Sequence, residues 1–302
     1  MKDFYIDKTS GENGPTIFGL RLKEQLEKDG LLFNENSNNR VCIISGKTKK
    51  GANNILRLDG LYLDAGGKEG KSEILNKRIF KSYRRFDKIV FQSEFSRECY
   101  EAFTGIKKEN YIINNGAPIS FFKESISATR PEGFDKVVIA SSKWRRHKRI
   151  KECINAFKDK RLKNVALVIL GGYKNVDMPN VFCLPRIPHS DLPKYYQMAD
   201  AMIHLAWLDW CPNTVVEGLA SRLPVLCSHN GGTKELVKND GVVIQLEEDY
   251  KIGEEVYLYQ PPKVDTNIIV EGMLKTLNIP KIQERKDLKI SNTSLQYSNL
   301  FI

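Results

Sequence analysis

Short β-rich runs alternate with helical runs twice along this chain, and no other feature of the sequence restricts its fold as much. Alternation of this kind builds parallel sheets covered by helices. In the first series the apolar patterns predict strands over 4–6, 41–45, 55–58, 88–92 and 111–113. Helices are predicted over 17–28, on Phe18, Leu20, Leu22 and Leu26 with Gly30 as the stop, and over 72–85. Between 117 and 133 the apolar period is lost and Pro118, Pro131 and Gly133 mark a linker. A second series follows, with strands expected over 137–140, 165–170, 201–205, 225–227 and 242–244. At 302 residues the chain has room for two domains of about 150 residues each. The expectation is therefore an α/β chain of two Rossmann-like, doubly wound parallel-sheet domains, 1–130 and 131–282. A polar tail, 283–302, ends in Leu295, Tyr297, Leu300 and Phe301 and is expected to pack back on the first domain. Open α/β sheets bind ligands at the carboxyl ends of their strands, so a cleft between the domains is where chemistry is sought.

Composition narrows the classes of partner. Lys and Arg outnumber Asp and Glu by 47 to 37, a formal charge of +10 that favours phosphate-bearing ligands: nucleotides, nucleic acids or an anionic membrane surface. The most apolar stretches, 165–170 and 201–207, fall far short of the ~20 residues that span a bilayer. The first residues have no apolar core of a secretory signal, so a cytoplasmic location is expected. Six scattered cysteines without Cys-x-x-Cys spacing read as reduced core residues.

Three segments of the second half carry chemistry. From Asp209 to Cys227 the sequence reads loop, helix, turn, strand, with Pro212 suited to the first helical turn and Asn213 to the cap. The amides of Thr214 and Val215 would then face a diphosphate. Glu217 sits one turn in, where its carboxylate either accepts hydrogen bonds from a ribose or, more blandly, complements the helix dipole in solvent. Gly231 and Gly232 precede another helix and permit a close backbone approach to a ligand. After the strand 137–140 comes the cation-rich run Lys143, Trp144, Arg145, Arg146, His147, Lys148 and Arg149, a phosphate-neutralising loop or a basic surface. With Trp144 as a stacking platform it would also suit single-stranded nucleic acid.

Together these segments resemble the retaining glycosyltransferases of family 4, which have the two-Rossmann GT-B fold. The resemblance is carried by Asp209 and Glu217 at the family's carboxylate spacing, by the run from Gly218 to Pro224 and Val225, and by Lys143 and Lys148 at its Gly-Arg-x-x-x-x-Lys signature. It implies that Glu217 binds the donor ribose and that Lys143 and Lys148 hold the donor diphosphate. Lys143 replaces an Arg and loses its bidentate geometry, which gives neighbouring Arg145 a part in the site. Asp209 replaces the usual Glu, with a shorter reach toward the sugar. In the first half, the stretch from Gly11 through Gly14 to Phe18 resembles the family's glycine-rich loop, Asn115 and Gly116 its Asn-Gly step, and Gln92, Ser93 and Glu94 its strand-to-Ser step. Asp59 stands where many members carry a His, and it is expected to contact sugar or acceptor. Arg186 and Ile187, in the loop after Phe182, are candidates for the base.

The implied activity is transfer of a sugar, with retention, from a nucleoside diphosphate to a glycan or lipid-linked acceptor. No cofactor is expected beyond the nucleotide sugar that serves as substrate. No metal is expected either, because cations and helix amides would stabilise the departing diphosphate and the chain contains no Asp-x-Asp pair. Gly46, Lys47 and Thr48 lack the first glycine of a phosphate loop, and the glycines from 66 to 70 lack dinucleotide spacing. His147, His189, His204 and His229 have no ligand spacing and read as structural, while Trp207 and Trp210 read as core or cleft wall. Lys77, Arg78, Arg84 and Arg85 border a predicted amphipathic helix, either a solvated basic face or a docking face for an anionic membrane. Three alternatives remain at this stage: an epimerase or phosphorylase on the same fold, a nucleic-acid-binding protein, and a non-catalytic partner of another transferase.

Overall fold

A computed structural model describes residues 2–11, 13–63, 71–123 and 127–302. The glycine-rich run from 66 to 70 lies outside them. The first half contributes strands β1 (Asp3–Ile6), β2 (Leu32–Phe33), β3 (Asn39–Ile43), β4 (Asn53–Leu58), β5 (Lys88–Phe91) and β6 (Asn110–Ile112), with helices α1 (Gly14–Lys28), α2 (Lys71–Arg85) and α3 (Glu94–Thr104). They are followed by β7 (Lys136–Ser141), α4 (Ile150–Ala156), β8 (Val165–Leu170), β9 (Val181–Cys183), α5 (Leu192–Met198), β10 (Ala201–His204), α6 (Asn213–Ala220), β11 (Val225–Ser228), α7 (Thr233–Val237), β12 (Gly241–Ile244), α8 (Thr266–Leu277) and α9 (Ile290–Asn299). The chain divides into two units. One is Met1–Pro118 with Lys251–Tyr257 and Lys286–Ile302, the other Ile119–Tyr250 with Leu258–Arg285.

In the first unit six parallel strands lie in the order β2-β1-β3-β4-β5-β6. Helix α1 begins earlier than its apolar spacing suggests because Asn13 and Thr16 form a reciprocal capping box and Pro15 occupies the first turn. Its Phe18, Leu22 and Leu26 are buried, whereas Leu20 is exposed. The core also takes in Tyr297, Leu300 and Phe301 from the chain's end, with the Phe18 and Tyr297 rings 6.0 Å apart. Gly116 explains how close α9 comes: a Cβ there would lie 2.6 Å from the Ile290 Cα and 2.7 Å from the Thr293 Oγ1. Gly116→Val is accordingly expected to cost about 1–3 kcal/mol through overpacking. Urea unfolding measures it, and an unchanged midpoint would contradict the packing described.

The second sheet runs β9-β8-β7-β10-β11-β12, all parallel. Strand β8, paired on both sides by β7 and β9, is buried at every position, as a parallel strand covered on both faces must be. Gly218 brings α6 onto β10, since a Cβ at that position would meet the Met202 Sδ at 2.5 Å. Of the six cysteines five are buried, Cys183 is half-buried, and none is bonded to another. Strand order reverses between β7 and β10. Ligands of open α/β sheets are held at such a switch point, beyond the carboxyl ends of the strands.

Candidate active site

The β7/β10 switch point brings together the ends of two strands and the loops that leave them. Strand β10 ends at His204 and continues to Asp209, while β7 runs into the cation-rich loop ending at Lys148. The Trp207 amide donates to the His147 carbonyl at 2.8 Å and ties the loops together. Leu208 (φ 56°) and Arg149 (φ 53°), next in sequence to Asp209 and Lys148, both have left-handed backbones. Such conformations cost a side-chain-bearing residue about 1–3 kcal/mol and persist where surrounding contacts enforce them.

Asp209 is held on every side. Its Oδ2 faces the Lys148 ammonium and accepts from His204 Nε2 at 3.1 Å; its Oδ1 accepts from the Trp210 amide at 3.0 Å. Burial pushes its carboxyl up, but Lys148 and His204 outweigh burial and hold it well below the usual carboxylate range. Its backbone pairs with Gly231, where a Cβ would approach the Asp209 carbonyl to 2.7 Å, and the Gly232 amide donates to that carbonyl at 2.8 Å. The close approach expected of the paired glycines is therefore to Asp209 itself.

Glu217, on α6, is 2% exposed, which excludes the solvated reading. Tyr196 from α5 donates its hydroxyl to Oε2 at 3.3 Å, and His189 Nε2 lies 3.2 Å from Oε1. Phe121 packs edge-on against both the His189 and Tyr196 rings. The helix start differs from expectation. Pro212 is the cap residue and Asn213 the first helical residue, because Pro212's extended backbone aims its own carbonyl into the first turn. That carbonyl accepts from the Val215 amide at 3.0 Å and the Val216 amide at 3.2 Å, so the Val215 amide does not face a ligand as Thr214's was also expected to do.

The remaining candidates are spread over both units. Lys143 and Arg145 are exposed on the loop after β7, and Arg186 and Ile187 lie between β9 and α5. Asp59 and Gly14 belong to the first unit. Asp59 is ion-paired with the buried Arg57, whose guanidinium also donates to Asn115 Oδ1 at 2.7 Å and lies 3.8 Å over the Phe18 ring. Gly14 is the first residue of α1. Trp144 is no stacking platform: its indole N–H donates to the Leu170 carbonyl at 2.8 Å, and its ring meets Tyr173 edge-on. Among the described residues no group of three His, Cys, Asp or Glu is placed to hold a metal.

Sequence reasoning set aside two histidines that touch the acids. His204 is five residues from Asp209 across a loop, and His189 meets Glu217 from a different element, so neither has a local period to signal it. His147 is buried and stacked on Tyr259, 5.3 Å between ring centres. Burial, then the Lys148 charge, pushes its pKa down from 6.5 to about 3, against the pull of Asp209 and with further lowering from Arg145 and His204. Between those values the unfolded chain binds a proton that the folded chain refuses. Stability is therefore expected to fall below about pH 6.5, by up to about 1.4 kcal/mol per pH unit from this residue. Urea unfolding of wild type and His147→Phe at pH 7.5 and 5 checks this; an equal loss in both proteins would contradict it.

Residues 122–256 match the family model of the glycosyl transferases group 1. No curated protein matches the chain by sequence. Among solved structures, a sucrose-phosphate synthase from Thermosynechococcus elongatus superposes with a TM-score of 0.67 at 12% identity, over 99% of this chain and 98% of that one. HepE from Anabaena, solved in complex with UDP-glucose, gives 0.63 at 15% identity, over 99% and 98%. WaaG, a glycosyltransferase involved in lipopolysaccharide biosynthesis, gives 0.58 at 14%, over 99% and 95%. The chain thus has the two-sheet GT-B fold, and residues 122–256 within it match the glycosyl transferases group 1 model.

Proposed function

We propose that this protein is a retaining, metal-independent glycosyltransferase of family 4, taking a sugar from a nucleoside diphosphate to a glycan or lipid-linked acceptor. The observation that carries this reading is the Lys148 ammonium held against Asp209 at the β7/β10 switch point, inside the segment that matches group 1 glycosyltransferases. When the bond from the anomeric carbon to the diphosphate breaks, its electron pair leaves with the diphosphate. Lys148, assisted by the exposed Lys143 and Arg145 and by the Thr214 amide beside Asn213, neutralises that charge. Asp209 stabilises the positive charge that develops at the anomeric carbon. Glu217 is already desolvated and aligned by Tyr196, and it accepts from the ribose hydroxyls. Arg186 and Ile187 flank the base.

Retention requires the acceptor oxygen to form its bond on the face the diphosphate leaves, with its proton passing to a departing diphosphate oxygen. The reaction needs no cofactor beyond the donor. Among the described residues no helix is long and apolar enough to cross a membrane. We place the reaction in the cytoplasm, with exposed Lys77, Arg78, Lys81, Arg84 and Arg85 of α2 as the face toward an anionic membrane. Product analysis by NMR after incubation with sugar nucleotides in EDTA tests the reading. Transfer with the donor's anomeric configuration kept is the expected result. An epimerised sugar still attached to its nucleotide, or an inverted product, would overturn it.

A further inference from the structure

Lys148 is a strange choice of phosphate ligand as it stands, because its charge is already taken. Its side chain is 16% exposed and that of Asp209 is 13% exposed, so the pair is shielded from most of the solvent. Among the described residues Asp209 is the only ion-pair partner of Lys148. The Asp209 Oδ2 that faces Lys148 also takes the His204 contact, and His204 is 4% exposed on the last residue of β10. Oδ1 is occupied by the Trp210 amide. Two left-handed residues, Arg149 and Leu208, fix the backbones behind the two partners. An ammonium in this setting meets a diphosphate in competition with the anion it already holds.

We propose that Asp209 is the resident counter-ion of Lys148, displaced by the donor diphosphate, and that His204 is the positioning residue that holds Asp209 in place through the exchange. The inference rests on the donor-site reading above and adds to it a competition within that site. While Lys148 is paired with Asp209, the site pays for phosphate binding with the loss of that pair. Once Lys148 has moved its charge to the diphosphate, Asp209 is relieved of its strongest partner and presents a fuller negative charge to the sugar. The His204 N–H and the Trp210 amide then keep its two oxygens where they were. This also gives the shorter acid a purpose, since a side chain anchored to His204 and Trp210 has no need of further reach.

The test is calorimetric titration with UDP, GDP and ADP, each without a sugar. Asp209→Asn is expected to bind the preferred nucleotide roughly tenfold more tightly than wild type, because Lys148 no longer has a competing anion. Asp209→Ala, which removes the carboxylate without offering an amide, should tighten binding in the same direction. In the Lys148→Met background the effect of Asp209→Asn should vanish. His204→Leu should lower turnover of the sugar nucleotide at least tenfold while moving the diphosphate Kd by less than about twofold, with His204→Gln, which restores an N–H donor, recovering most of the rate. If wild type binds a nucleotide and neither Asp209 variant tightens it, the exchange is refuted and the donor site stands. If His204→Leu and His204→Gln behave alike, His204 has no positioning role. If wild type binds none of the three, the donor reading fails and takes this inference with it.

Discussion

Lys148→Met is expected to reduce sugar-nucleotide turnover by about 10²–10³-fold, the loss typical of removing one group that stabilises charge developing in the transition state. The methionine keeps the aliphatic stem and so isolates the charge. Lys143 and Arg145 remain on the same loop, but both are exposed, and charges in solvent stabilise a neighbouring anion far less than one shielded at the switch point. The variant also leaves Asp209 buried with His204 and the Trp210 amide as its remaining donors, so some stability should be lost along with activity. Initial rates measured with the preferred donor, alongside a thermal melt, separate the two effects. A rate within threefold of wild type in a folded variant would remove Lys148 from the mechanism.

Arg149→Ala should have the largest effect on stability, a loss of about 3–5 kcal/mol. Arg149 is fully buried, its guanidinium lies 2.8 Å from Glu247, and it donates to the Pro262 carbonyl at 3.3 Å. Glu247 is 5% exposed, and truncating Arg149 strands its charge in the interior. For a unit of this size such a loss lowers the melting temperature by roughly 6–20 °C. Arg149 is itself incompletely satisfied, because its Nε and Nη1 find no acceptor among the described residues. The double variant Arg149→Met with Glu247→Gln, in which the Asn230 amide still has an oxygen to donate to, should therefore recover most of the stability. A single variant that melts within 2 °C of wild type would show that the pair is solvated in solution.

The parts of this protein that were legible in its sequence are those written in local periods. Strand β8, a continuous apolar run, and α6, with Val215, Val216 and Leu219 on one side, are found where their patterns placed them. Strands β2 and β9 are too short to show a period, and α3 and α8 were not singled out among the neighbouring apolar runs. The two acids were singled out through their spacing in the family resemblance. Their partners were not, because Lys148, His204 and Asp209 come from two loops that only the sheet order brings together, and Tyr196 and His189 reach Glu217 across separate elements. Pro212 misled the reading of the helix start in a specific way: a proline that begins a helix also directs its carbonyl at the Val215 amide, one of the two that were expected to serve a phosphate. Gly231 was read as room for a ligand, and the room is taken by the Asp209 backbone.

The most direct test of the donor site is calorimetric titration of UDP-, GDP- and ADP-sugars, in EDTA, on wild type and Glu217→Gln. The substitution preserves shape and keeps an oxygen for Tyr196 while removing the charge that would accept from the ribose. One base should bind selectively and without regard to chelator, and the variant should weaken it about 10–100-fold, the worth of a hydrogen bond to a charged group. Binding that is absent for every base, or equally strong in the variant, would contradict the assignment of this site to a nucleotide sugar.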